Sequence, residues 1–397
     1  MASMKDTAVE RLIKKETQRQ KSVVNLIASE NLVSQDVLKT LGSVFTNKYA
    51  EGYSRRRYYG GNEIVDQVEE LAKERALKLF GLSSDEWHVN VQPYSGSPAN
   101  LAVYYGLIPP HGKIMGMLLA HGGHLTHGHK VSATGALWQQ VGYGVEEGTE
   151  LLDYRKLEAL AKKEKPDIVV AGFTAYSRII DFKKMKDVAR AAGTILMVDA
   201  SHFAGLLAGG VYPSPFPYAD IVMMTTHKTL RGPRGAIIFV RKSKDTTFAE
   251  KIDKAVFPGL QGGPHMNTIA AIAIALKEAT TPAFKKYAKQ VVKNAQVLAS
   301  ELEKKGWRII SGGTDTHLFL MDTFARGITG KEAESLLERE GIIVNKNAIP
   351  FDVRSPFDPS GIRIGTAAVT TQGMKEKEMK KIADRIDKIL TAHTSSL

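Results

Sequence analysis

Thr225-Thr226-His227-Lys228-Thr229-Leu230-Arg231-Gly232-Pro233-Arg234-Gly235 separates two apolar runs, Ala219-Asp220-Ile221-Val222-Met223-Met224 and Ala236-Ile237-Ile238-Phe239-Val240. Both runs are short, continuous and bounded by turn residues, as buried strands are. A lysine at the end of such a strand, boxed in by hydroxyls, a histidine and a glycine-rich turn, is placed to hold its amine away from water. Burial lowers a lysine pKa, and a neutral amine is what a Schiff base with a carbonyl requires. A solvated turn lysine is the plain alternative. Against it stands a third run, Thr194-Ile195-Leu196-Met197-Val198-Asp199-Ala200-Ser201-His202, an apolar strand that ends on an acid. A carboxylate there can pair with the pyridinium nitrogen of pyridoxal phosphate while Lys228 holds the aldehyde.

Outward from these strands, helical and strand patterns alternate through most of the chain, which signals an α/β architecture. Residues 1–21 read as a charged helical arm, 22–282 as a large domain and 283–397 as a smaller α+β domain. Strands are expected at 113–119, 167–170, 195–198, 221–224 and 236–240, and helices at 64–80, 154–163 and 185–192. Thr280-Thr281-Pro282 is the clearest punctuation. It precedes a long lysine-rich helix over 283–305, strands at 307–310 and 317–321, and helices at 331–340 and 375–390. The 397 residues are 43% hydrophobic and 24% charged, the balance of a soluble globular protein with a large core. Cysteine is absent, which excludes disulfides and thiolate chemistry. With no apolar run near the ~20 residues a bilayer requires, and no secretory leader in sight, a cytoplasmic protein without membrane contact is expected. The formal charge of +12 raises nucleic-acid binding, but basic residues lie scattered among acids, as in Lys375-Glu376-Lys377-Glu378, and no recognition motif accompanies them.

Four further segments carry candidate chemistry. Ser95-Gly96-Ser97-Pro98-Ala99-Asn100 opens a helical run, and free N–H groups at such an end bind phosphate, although a simply capped helix reads the same way. His121-Gly122-Gly123-His124-Leu125-Thr126-His127-Gly128-His129 has four histidines in nine residues. Its glycines argue for a loop passing close to a ligand, with a histidine stacked on a flat ring, rather than for a metal centre, and no metal is expected. Residues 47–61 are dense in polar and aromatic side chains without a period, which in a compact domain points to function or to an exposed basic loop. In Ser360-Gly361-Ile362-Arg363-Ile364-Gly365-Thr366 an arginine between apolar residues needs an anion, a substrate carboxylate or an internal salt bridge.

Together these segments resemble serine hydroxymethyltransferases, pyridoxal-phosphate enzymes of the aspartate-aminotransferase fold type. The resemblance runs from about Leu26 to Ala368. It rests on LIASEN (26–31), NKYAEGY (47–53), RYYGG (57–61), QPYSGSPAN (92–100), LAHGGHLTHG (119–128), FTAYSR (173–178), VDASHFAG (198–205), TTHKTLRGPRG (225–235), VFPGLQGGP (256–264), ITGKEA (328–333), VNKN (344–347) and SGIRIGT (360–366), all in the family's order. Departures fall at Pro98, Ala200-Ser201 and Ser54-Arg55-Arg56, where other residues are usual, and none removes a catalytic group.

The resemblance implies a large domain on a mostly parallel seven-stranded sheet, a smaller C-terminal α+β domain, and reversible transfer of the serine hydroxymethyl group to tetrahydrofolate, giving glycine and methylenetetrahydrofolate. It makes Lys228 the residue of the internal aldimine, Asp199 the partner of the ring nitrogen, His124 the stacking group and His202 a contact of the cofactor oxygen. Ser95, Gly96, Ser97 and a neighbouring subunit's Gly263 would hold the phosphate, with His227 and Thr225 lining the pocket and Ser177 nearby. Arg363, with Arg234, would bind the substrate carboxylate. Ser29, Tyr49, Glu51 and Tyr59 would come from the partner subunit of a homodimer or tetramer, Glu51, Tyr49 and Tyr59 acting in catalysis. Leu119, Gly123, Leu125, Phe257 and Asn347 would contact folate. A folate-independent threonine-type aldolase shares the same chemistry and is the nearest rival. A basic nucleic-acid-binding protein on the same fold is disfavoured by the presence of Lys228, Asp199 and Arg363.

Overall fold

The structure, a computed structural model, describes residues 5–243 and 247–394. Residues 1–4 of the expected arm and 395–397 of the expected C-terminal domain lie outside the described residues. Seven strands form the central sheet: β1 (Trp87–Asn90), β2 (Lys113–Met117), β3 (Gln139–Tyr143), β4 (Ile168–Gly172), β5 (Ile195–Asp199), β6 (Ile221–Thr225) and β7 (Ala236–Arg241). Their spatial order is β1-β7-β6-β5-β4-β2-β3. β3, β2, β4, β5 and β6 run parallel, while β7 is antiparallel to both β6 and β1. Every residue of β4 and β6 is buried, because helices cover both faces of a parallel sheet, and the strands are therefore apolar throughout instead of alternating.

The main helices are α1 (Thr7–Ser22), α2 (Glu63–Phe80), α3 (Gly96–Leu107), α4 (Tyr154–Glu164), α5 (Phe182–Ala192), α6 (Met266–Ala279), α7 (Pro282–Lys304), α8 (Gly330–Arg339) and α9 (Glu376–Thr394). Capping sets many of their ends. Gly81 terminates α2 at φ +66°, and Thr281 caps α7, with Pro282 at its first position. A second sheet, β8 (Arg308–Ile309), β9 (Leu318–Asp322), β10 (Asn345–Asn347) and β11 (Gly361–Gly365), has the order β8-β9-β11-β10 and is antiparallel.

α7 belongs to both layers. Its first half, through Phe284, Tyr287, Ala288 and Val291, packs into the core of the central sheet, and its second half, through Leu298, Ala299 and Leu302, into that of the second sheet. The second core also takes in Leu26, and Val24–Asn25 pairs in parallel with Ile342–Ile343. The chain just before the first polar motif is thus stitched to the C-terminal layer, within the span expected for the large domain.

Two features depart from the sequence pattern. The strand expected over 113–119 stops at Met117, and Leu119–His121 forms a 3-10 turn. A Cβ on Gly123 would lie 1.9 Å from the Met117 carbonyl, so the chain doubles back on its own strand end there. α6 escapes a periodicity reading because nine of its residues, from Met266 to Ala279, are buried around most of its circumference, which leaves no polar face to mark a helical repeat.

Leu298 is fully buried where α7 meets the second core. Leu298→Ala should cost about 2–5 kcal/mol in urea unfolding, the range for a leucine cavity that cannot collapse. Val9→Ala, at a 45% exposed position on α1, should leave the midpoint of an isolated chain unchanged.

Candidate active site

The carboxyl ends of β4, β5 and β6, three neighbouring strands, open into one cavity of about 310 Å3, where ligands of doubly wound sheets bind. Phe173 and Thr174 follow β4, Asp199 ends β5, Thr225 ends β6, and all line it together with Ser95, Gly96, Ser97, His124, His202, His227, Lys228 and Arg234. Close strand packing explains Gly172: a Cβ there would sit 2.4 Å from the Asp199 carbonyl oxygen.

Lys228 Nζ donates one hydrogen bond, 3.0 Å to Thr225 Oγ1. Burial, assisted by the charges of Arg363 and Arg234, lowers its pKa to about 8, against an upward pull from Asp199. Asp199 is held on both oxygens. Its Oδ2 accepts from Asn100 Nδ2 at 3.0 Å and lies 3.2 Å from His127 Nε2, and its Oδ1 accepts the Ser201 N–H at 3.0 Å. His127 Nδ1 accepts the His124 N–H at 3.2 Å, so the ring proton resides on Nε2 and faces Asp199. Burial alone would raise the Asp199 pKa, but His127 and the neighbouring donors outweigh it and hold the carboxyl well below its usual range.

The remaining histidines of residues 121–129 take separate partners. His121 Nδ1 accepts the Val145 N–H, and His124 Nδ1 bonds Thr126 Oγ1 at 2.7 Å. Burial keeps the His124 ring neutral, with its pKa lowered to about 4. His202 Nδ1 lies 3.3 Å from His317 Nε2. Burial disfavours charge on both rings and lowers the His317 pKa to about 3.

Arg363, on β11, is 7% exposed. Its Nε donates to Asn345 Oδ1 at 3.1 Å and its Nη1 to the Thr174 carbonyl at 2.8 Å, both neutral oxygens. No carboxylate pairs with it among the described residues, so the internal salt bridge is not what holds this arginine. Burial lowers its pKa to about 10.

These features fit pyridoxal phosphate. The cavity offers a desolvated amine, a fixed carboxylate and the N-terminus of α3, whose Ser95 makes no side-chain cap and leaves the first N–H groups open. Gly96 cradles that end, since a Cβ would lie 2.6 Å from Thr225 Cγ2. His227 Nδ1 and Thr174 Oγ1 are buried there without a hydrogen-bond partner.

Not every expected residue joins this cavity. Ser29, assigned by resemblance to a partner subunit, lines the cavity of its own chain, because the Val24–Asn25 pairing carries residues 26–30 back over the sheet. Ser177 lies away from it, its carbonyl engaged by the Asp315 N–H and the Thr314 hydroxyl, and Thr174 takes the place near the site. Tyr49, Glu51, Tyr59 and Gly263 gather on another face. There Tyr49 Oη donates to Glu51 Oε1 at 3.0 Å, the Tyr49 and Tyr59 rings meet edge to face at 5.1 Å, and a Cβ on Gly263 would touch Tyr49 at 3.4 Å. Among the folate candidates, Phe257 belongs to that second region, packed on Tyr58 at 5.6 Å. Leu119, Gly123 and Leu125 follow β2, and His121 between them packs on Phe351, four residues beyond Asn347. The sequence reading missed Asn100, His127, Asn345 and His317, all internal partners of site groups whose role depends on contacts distant in the chain.

The sequence profile described as serine hydroxymethyltransferase matches residues 2–386. Among curated proteins, the chain is 55% identical over 381 residues to the serine hydroxymethyltransferase of Acidobacterium capsulatum, covering 96% of this chain and 87% of that one. It is 53% identical over 386 residues to that of Desulfotalea psychrophila, covering 97% and 88%. To that of Koribacter versatilis it is 55% identical over 377 residues, covering 95% and 87%.

An amine with its pKa near 8 titrates in an accessible range. Acetylation of Lys228 in cofactor-free protein, followed by peptide mass spectrometry, should rise through a midpoint near pH 8, and Asp199→Asn should shift that midpoint downward because it removes the charge that favours the ammonium. A midpoint above pH 10 would return Lys228 to solvent.

Proposed function

We infer the roles of the site residues from one premise: this chain belongs to the serine hydroxymethyltransferase family, whose members interconvert serine and glycine with tetrahydrofolate as one-carbon carrier and pyridoxal phosphate as cofactor. The observation that carries the assignment is a half-buried amine, Lys228, in a cavity whose one buried carboxylate, Asp199, is already satisfied by three donors, together with the buried guanidinium of Arg363, which has no carboxylate partner among the described residues. Such a site asks for anions. When bound, pyridoxal phosphate supplies an aldehyde and a ring that draws off the electron pair released at the substrate α-carbon.

Ser95, Gly96 and Ser97 would hold the phosphate at the α3 N-terminus, the neutral ring of His124 would stack on the cofactor ring, and His202 would contact the cofactor oxygen. Asp199 would offer its negative charge to the ring nitrogen, since His127 and Asn100 fix both its protonation state and its direction. Lys228 contributes the amine, which can release or hold a proton at Nζ near neutral pH. Arg363 receives the amino-acid carboxylate on its planar fork, already oriented by Asn345 and Thr174. Arg234 and Ser29, at the mouth of the cavity, complete the substrate pocket. Leu119, Gly123, Leu125 and Asn347 form a folate-contacting rim.

We place Glu51, Tyr49, Tyr59, Gly263 and Phe257 in the active site of a second copy, so that a homodimer shares both sites. Exposed apolar side chains support this arrangement: Leu38, Val44, Tyr58, Ile64 and Leu71 crowd the segment around Glu51, and Val9, Leu12 and Ile13 lie bare on α1. The Tyr49 hydroxyl, its pKa raised by its bond to Glu51, stays protonated and donates to that carboxylate. Glu51 can then exchange a proton with the substrate hydroxymethyl group. Cleavage of bulkier β-hydroxy amino acids without folate is a further activity of the same site and needs that exchange less. In domain terms, α1 is an arm, residues 22–282 carry the cofactor, and 283–397 close the site with Arg363, α7 bridging the two.

Arg363→Lys should weaken glycine binding at least about 10-fold, since a point charge cannot reproduce the fork. Unchanged glycine affinity, read by spectroscopic titration of the holoenzyme, would remove Arg363 from the substrate site. Sharing of sites has its own test. Lys228→Ala and Glu51→Gln proteins, each retaining only a small residual activity with serine and tetrahydrofolate, should recover about a quarter of wild-type activity when unfolded together and refolded, because half of the dimers are hybrids with one intact site. No recovery would confine the site to one chain.

A further inference from the structure

Arg57 sits in the same hairpin as Glu51, yet its side chain is only 3% exposed. The guanidinium is used on every nitrogen. Nη1 donates to the Ala50 carbonyl at 3.0 Å and to the Gly52 carbonyl at 2.8 Å, the two peptide oxygens that flank Glu51. Nε donates to Asp66 Oδ1 at 2.8 Å and Nη2 to Glu69 Oε2 at 2.7 Å. The carbonyl of Glu51 itself accepts the Tyr58 N–H at 3.0 Å, so three consecutive peptide oxygens are tied. Gly52 makes the turn at φ +93°, and a Cβ there would strike the Arg56 carbonyl at 2.4 Å.

The anchor behind Arg57 is equally committed. Glu69, fully buried on α2, also accepts from Gln92 Nε2 at 3.0 Å and pairs with Lys73 at 2.9 Å. Gln92 Nε2 in turn donates to the Gly52 carbonyl at 3.0 Å. Gln92 lies three residues before Ser95, so one polar network joins the Glu51 hairpin to the segment that leads into the phosphate-binding end of α3.

We propose that Arg57 is a positioning residue for one-carbon transfer: by gripping the backbone on both sides of Glu51 and bracing it against Glu69 and Asp66, it sets where the Glu51 carboxyl stands relative to the substrate hydroxymethyl group. The proposal rests on the role given to Glu51 above. A merely structural arginine could lie anywhere along the hairpin, but this one bonds the peptide oxygens on either side of the proton-carrying residue. Lysine cannot replace it, because one ammonium with three donors on a single nitrogen cannot reach two carbonyls and two carboxylates arrayed along different edges of the guanidinium plane. Misplacing a reacting group by about 1 Å costs on the order of 10²-fold in rate.

The test is a double-mutant cycle on the holoenzyme with serine and tetrahydrofolate. Arg57→Lys should lower kcat about 10- to 100-fold while KM for serine and the glycine dissociation constant stay within about 3-fold. In the Glu51→Gln background the same change should cost less than about 3-fold, since there is no longer a carboxyl to place. Equal losses in both backgrounds, or a parallel loss of glycine binding, would overturn the positioning role. Glu51→Gln alone retaining the wild-type rate would instead overturn the reading of Glu51, whatever Arg57 does. If Arg57→Lys fails to fold, Asp66→Asn loosens one arm of the guanidinium and is read in the same cycle. A few-fold loss that vanishes beside Glu51→Gln supports the proposal, and a loss that persists contradicts it.

Discussion

Unbalanced buried charge is the constraint on which this site depends. Arg363 is buried and Lys228 half-buried, and among the described residues each is bonded only to neutral oxygen atoms. The buried carboxylate of the cavity, Asp199, has its oxygens committed to His127, Asn100 and the Ser201 N–H. Burying a cation without a partner is costly, and a fold retains such groups where a ligand brings the missing anions. In the reading proposed above, a phosphate at the α3 N-terminus and a carboxylate at Arg363 would meet that requirement. The same imbalance lowers the amine pKa of Lys228 to about 8, so the electrostatic cost and the chemical reactivity have one origin.

The sheet makes this arrangement possible. Three adjacent parallel strands end side by side, which brings residues from 172–174, 199 and 225–228 to one edge without long loops. The second layer then contributes Arg363 from its own sheet and His317 from the residue just before β9, and α7 runs through both cores. A second cluster of polar and aromatic side chains, around Glu51, lies in a segment with several exposed apolar residues. Its backbone is held by an ion network of Arg57, Asp66, Glu69 and Lys73, in which Arg57 and Glu69 are buried.

Much of this was legible in the chain before the structure. The strands over 195–199, 221–225 and 236–241 announce themselves because both faces are buried and the residues are uniformly apolar. Lys228, Asp199 and Arg363 stand out as charged residues at the ends of such runs or within them. β1 and β3 were harder, since Trp87-His88-Val89-Asn90 and Gln139-Gln140-Val141-Gly142-Tyr143 are edge strands with mixed composition. Asn100, His127 and Asn345 could not be assigned by type or spacing, because each acts through a partner 18 to 99 positions away. Ser29 was misplaced for a related reason: only the pairing of Val24–Asn25 with Ile342–Ile343 reveals to which cavity its segment returns.

The central claim is that the Lys228 amine is the group that joins the cofactor. Reduction of the holoenzyme with borohydride, digestion and peptide mass spectrometry locate the pyridoxyl group on a single side chain. The account predicts the label on Lys228, in the peptide containing His227 and Thr229, and its loss in Lys228→Ala. A stoichiometric label on any other lysine of the wild-type protein, with Lys228 unmodified, would contradict it.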